Sequence, residues 1–183
     1  MLNERKTAQI AAFFIRKEGG CLNILKLVKL LYLADREAMD KYDFPLTGDH
    51  FVSMPHGPVL SGTYDLINGA SGPDSTWEQW ISDRENHNVS LKEEQTDTAL
   101  DELSRAEVSV LESVYQQFGQ MSQWDLVKYT HDNCPEWRDP NGSSIPISYE
   151  DVFLALKRDV EESRARSRDL ENENVVDRVF ASL

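Results

Sequence analysis

The chain has 183 residues, 40% of them apolar, with 32 Asp and Glu against 19 Lys and Arg and a formal net charge of −13. That length and apolar content suit one sizeable core, alone or with an appended tail, and exclude a disordered chain. The charge counts against a nucleic-acid surface, which needs clustered Lys and Arg to neutralise phosphates. An acidic surface suits a basic partner, or serves solubility alone. In chain order, the pattern first predicts a helix from about Glu4 to Lys17, capped by Asn3, with Ile10, Phe13 and Phe14 inward and Gly19-Gly20 as its stop. A central helix follows, capped by Asn23. At about 100° per residue, Ile24, Val28, Leu31, Asp35, Met39 and Tyr42 share one narrow sector, and Leu25, Leu27, Leu30 and Leu33 widen the apolar surface. Lys26, Lys29, Arg36, Glu37 and Asp40 fall outside that sector.

Residues 44–49 form a turn-rich link, and His50 to Met54 reads as a short strand. Gly57 and Pro58 suit the N-cap and first position of a helix over Val59–Ile67, ended by Asn68 and Gly69. Such a start exposes Tyr64 one to two turns in. Trp77–Ile81 and Asn88–Leu91 are expected to pair as short strands, with the tryptophans in packing roles rather than a cofactor box. Lys92–Glu102 is acidic and partly loop. Ser104 and Glu107 form a capping box for a helix carrying Val108, Leu111, Val114, Tyr115 and Phe118. Ser122 caps a helix through about Thr130, before Pro135. Ser148 and Asp151 start another, containing Phe153, Leu156 and Val160. The stretch from Glu161 to Asn174 is highly charged, and Val175 to Phe180 is apolar again. That end is open to docking on its own domain, swapping to a second subunit or binding a partner.

Two features carry chemistry. Asp35 lies on the oily face of the central helix, so it is expected to be a buried carboxylate, which needs pairing or hydrogen bonds. It either pins a loop through backbone N–H groups or meets the open N–H groups of the helix at Pro58, a position a partner's acidic group could also take. His56, just before that corner, is either a hydrogen-bonded loop histidine or a catalytic one.

The run KLVKLLYLADRE, then PLTGDHFVSMPHGPV, then TYDLI, and later YTHDNCPEW at Tyr129–Trp137, resembles the Panacea domain, the SocA-like antitoxin family. The likeness covers roughly Thr7 to Val160 and is strongest between Leu25 and Ile67. It implies the antitoxin half of a bacterial or phage toxin–antitoxin pair, acting by direct binding, or an adaptor that hands a toxin to a protease. The motif match and helix geometry place partner-binding residues at His56, Gly57, Pro58, Tyr64, His131 and Trp137, with Asp35, Gly48 and Asp49 as structural motif positions.

No Walker loop, GxGxxG, HExxH or GxSxG is present. The two cysteines, Cys21 and Cys134, show no CxxC pairing and are expected to be reduced thiols. No cofactor or metal is expected. Were the fold to gather Asp35, Asp49, His56 and His131, metal-assisted hydrolysis would become the alternative. The N-terminus has no signal-peptide core, and Lys26 and Lys29 interrupt the Leu-rich stretch, so a cytoplasmic protein with no membrane span is expected. The expectation is a mainly α, single compact helical domain with a small antiparallel β element. It divides into a Panacea-like unit over 1–160 and a charged extension with a short apolar helix over 161–183. Its partner is a cognate toxin, expected to be basic, with a protease in the adaptor reading; homo-oligomer formation is left open.

Overall fold

The computed structural model describes residues 1–181 except 73, 83 and 96–98, and for 177–181 it describes the backbone alone. The first helix, α1 (Glu4–Lys17), starts where Asn3 accepts from the Lys6 N–H at 3.0 Å. It stops at Gly19 and Gly20, both at positive φ, where the Gly20 N–H reaches back to the Ile15 carbonyl at 2.9 Å. A short strand, β1 (Cys21–Asn23), leads into α2 (Ile24–Tyr42), whose first turn is capped by Asn23 through the N–H groups of Leu25 and Lys26.

Helix α2 is the axis of the molecule. It is buried from Lys26 to Ala34 without interruption, and Asp35, Ala38 and Met39 continue the buried face. Helices α1, α5 (Arg105–Phe118) and α6 (Gln123–Asn133) surround it. Lys26 and Lys29, expected away from the oily face, are both buried because these neighbours leave α2 little exposed side. Lys26 satisfies its ammonium on Glu18 and the Gly119 carbonyl, at 2.8 and 2.6 Å.

Two small antiparallel sheets flank the helices. One contains β2 (Phe51–Met54), β3 (Gly57–Leu60) and β5 (Ile145–Ile147) in the order β3-β2-β5. The other pairs β1 with β4 (Asn88–Ser90), Leu22 opposite Val89. Together with eight helices among the described residues, this is a mainly α fold with a small antiparallel β component.

Four elements differ from their sequence expectation. Gly57 and Pro58 open strand β3, not a helix, and α3 begins only at Ser61 and runs to Ile67. Gly-Pro serves a hairpin as well as a helix start; here Val59 and Leu60 pair with Val52 and Phe51, and Pro58 sits on an edge strand, where no ladder N–H is missed. Trp77 to Trp80 belong to a helical turn, α4 (Thr76–Trp80), because Ser75 caps Glu78 and Glu4 accepts the Trp77 N–H at 2.8 Å. The strand at Asn88 therefore pairs with β1, leaving only an isolated Ile81–Leu91 bridge. Helix α6 extends to Asn133, beyond the expected end near Thr130, so His131 lies on its last turn.

The fourth difference is at the C-terminal side. Helix α7 (Tyr149–Ala155) stops before Val160, and Lys157 takes a left-handed conformation at φ 64°. Asp159 then accepts the N–H groups of Glu161 and Glu162 and starts α8 (Val160–Ala181). Helix α8 packs on α7 with Ser163, Ser167 and Leu170 buried, and Arg158 pairs with Asp43 at 2.9 Å. Val175 and Val176 are exposed.

Candidate functional site

The two carboxylates of the structural motif, Asp35 and Asp49, hold the link between α2 and β2 and the start of α3. Asp35 accepts the N–H groups of Leu46 and Thr47 at 2.9 and 3.1 Å, and the Thr47 hydroxyl. Burial pushes its carboxyl up to about 7, against the pull of these donors. Asp35 therefore pins a loop and does not reach the Pro58 corner. The helix start that follows the corner is filled by Asp49, which accepts from Gly62 and Thr63 N–H at 3.0 and 2.7 Å and from the Thr63 hydroxyl at 2.8 Å. Gly48 between them has φ 67°, and a Cβ there would lie 2.6 Å from the Met1 carbonyl oxygen.

The His56-Gly57-Pro58 corner is the hairpin turn between β2 and β3. Gly57 has φ 96°, and a Cβ there would meet Thr130 Oγ1 at 2.7 Å and Lys29 Nζ at 2.9 Å. Only glycine fits both the torsion and the space. Behind it Lys29 is fully buried, donating to the Pro58 carbonyl at 2.8 Å. Desolvation, with no carboxylate partner among the described residues, brings its ammonium down to about 7.

Two aromatic contacts hold the corner. The His56 ring meets Trp124 edge to face at 5.8 Å, and Trp124 is 59% exposed. His131 stacks on Trp137 at 3.9 Å, and Trp137 Nε1 donates to the Met54 carbonyl at 2.9 Å. Burial, then the nearby Lys29 charge, lower the His131 pKa, and its buried Nε2 has no hydrogen-bond partner among the described residues. Beneath this layer Glu136 accepts from Tyr32 and, at 2.7 Å, from Arg36 Nε. Burial pushes the Cys134 thiol up to about 12, which removes it as a thiolate nucleophile at neutral pH.

Beside the corner lies a cavity of about 610 Å³. Leu25, Val28, Met54 and Val59 give it an apolar wall, and His56, Tyr64, Arg84, His87 and Trp124 add polar and aromatic groups. Of the residues expected from sequence, His56, Gly57 and Tyr64 line this cavity; Pro58, His131 and Trp137 brace the corner instead. Lys29, Arg84, His87 and Trp124 were not singled out. Lys29 alone left a trace, a lysine amid a Leu-rich run on a helix too apolar to have a free face.

Asp35 and Asp49 are spent on the backbone N–H groups of residues 46–47, 50 and 62–63, so the four-residue acid–base constellation with His56 and His131 is not assembled. Among the described residues no group of three or more His, Cys, Asp or Glu is placed to hold a metal ion.

The model of one protein family, described as antitoxin SocA-like, Panacea domain, matches residues 27–138. The chain belongs to the SocA-like Panacea family. The match covers more than half the chain, from the second turn of α2 to the residue after Trp137, and so takes in the corner, the aromatic braces and the cavity lining except Asn23, Ile24 and Leu25. No curated protein and no solved structure matches the chain. Among the described residues of this Panacea-family protein, no helix is long and apolar enough to cross a membrane.

Proposed function

We propose that this Panacea-family protein is the antitoxin of a toxin–antitoxin pair and neutralises its cognate toxin by direct binding, without catalysis, in the cytoplasm. One observation carries the reading: the family match covers the hairpin, α3 and α6, the elements that frame the cavity. The partner surface we propose comprises His56, Gly57, Pro58, Tyr64, His131 and Trp137, with the first four at or beside the turn and the last two holding it. Residues 1–160 form the binding unit and 161–183 an extension of it. The toxin is basic overall, since a −13 chain steers a basic partner into encounter.

The test is co-expression with the product of the adjacent open reading frame. Relief of growth arrest and co-purification at fixed stoichiometry are expected, with toxin levels unchanged. Relief accompanied by loss of the toxin, abolished in a protease-deficient host, would replace neutralisation with delivery to a protease. Absence of both binding and relief would contradict the antitoxin reading.

A further inference from the structure

The cavity beside the hairpin departs from the rest of this acidic molecule. Among the described residues no Asp or Glu lines it, although acidic residues outnumber basic ones 32 to 19 along the chain. It does hold Arg84, which is exposed and has no ion pair among the described residues. Arg84 Nη1 donates to the Asn68 side-chain oxygen at 2.7 Å, and the Asn68 amide is turned that way by donating to the Tyr64 carbonyl at 2.8 Å. A neutral amide thus orients the guanidinium, and among the described residues most of its five N–H donors stay open. A second basic group, Lys29, stands directly behind Gly57 and donates to the Pro58 carbonyl. Arg84 places a permanent positive charge at a concave site lined by no carboxylate among the described residues, and Lys29 adds a second charge below about pH 7, so the local field is opposite in sign to the net charge. The wall beside them is apolar, and Trp124 stands open at its edge. Volume, apolar wall and few oriented polar groups are the features of a recognition pocket.

We infer that the toxin segment entering this cavity carries a carboxylate, received by Arg84 with the imidazoles of His56 and His87, next to an apolar side chain seated against Trp124 and Tyr64. The inference rests on the antitoxin reading and adds what the toxin must present. It gives the two charge patterns separate tasks. The acidic exterior draws in a basic protein, and the cavity selects one acidic-apolar anchor on it, so that a merely basic partner is not retained. Planar guanidinium suits carboxylate through paired N–H donors, which a lysine at position 84 would not reproduce.

The test measures affinity for the product of the adjacent open reading frame, using full-length antitoxin variants shown by melting to be folded. Arg84→Glu is expected to weaken binding by about tenfold or more, Arg84→Gln by less, and Trp124→Ala by about tenfold. On the toxin, replacing each Asp and Glu in turn with Ala should single out one carboxylate, and its reversal to Lys should restore binding to Arg84→Glu. Should Arg84→Glu not fold, Arg84→Gln and the toxin scan decide the matter with wild-type antitoxin. Tight binding by wild type that neither Arg84 variant nor any toxin carboxylate alters would overturn the inference and leave the antitoxin reading intact. No binding by wild type would remove both.

Discussion

At the scale of single residues, the molecule buries two ionisable groups of α2 in different ways. Asp35 is met by three donors of the 46–47 turn, whereas Lys29 has one carbonyl. Asp35→Ala leaves those donors unpaired and is expected to cost about 1–3 kcal/mol. Denaturant melts would check this, and an unchanged midpoint would contradict the loop-pinning role. Lys29 titrates near 7 in the fold and near 10.5 in the unfolded chain. Between those values the unfolded state binds more protons, so this group makes stability rise with pH across that window. Below about 7 both states are charged and its burial penalty is full. Lys29→Met should therefore be stabilised relative to wild type most at pH 6, with the margin shrinking towards pH 10. A margin independent of pH would mean that Lys29 is not titrating inside the fold.

At the scale of elements, the hairpin is where torsion and packing coincide with the proposed partner surface. Gly57→Ala combines a left-handed torsion with contacts under 3 Å to Thr130 and Lys29. It should destabilise by more than about 1 kcal/mol. Pro58→Ala, on an edge strand, misses no ladder N–H; it loses the proline's restriction of the unfolded chain, about 0.5–1 kcal/mol, with some packing of its buried ring, and the smaller loss of the two is expected here. Urea melts of both would test the order, and a larger loss at Pro58 would argue for the helix start that Gly-Pro suggests in sequence. Why that element misled is instructive. The starts of α1, α2, α5 and α6 were legible because a cap is a local signal, an Asn or Ser bonding two or three residues ahead. Gly57-Pro58 is local too, but two structures satisfy it, and the pairing of Val59 and Leu60 with β2 chose between them. The same holds for Trp77, whose N–H is taken by Glu4, 73 residues away in the chain. The corner of the site could be read because His56, Gly57 and Pro58 are contiguous. The cavity could not, since Arg84 and Trp124 carry no local mark and meet it only through the packing of α3 and α6 around the hairpin.

At the scale of the whole molecule, α2 supplies both the core and the floor of the site, so binding energy at the corner is backed by the most buried element. The family match begins on that helix and ends just past Trp137, whose indole N–H holds the turn from below. Helix α8 lies outside the match, docked on α7. Whether a toxin sits on the hairpin and its cavity, as proposed, is decided by amide hydrogen exchange of this protein with and without the adjacent-frame product. Slowed exchange is expected in 52–60, 64–68 and 123–131, with α8 unchanged. Protection confined to α5 or α8, with the hairpin exchanging as in the free protein, would contradict the account.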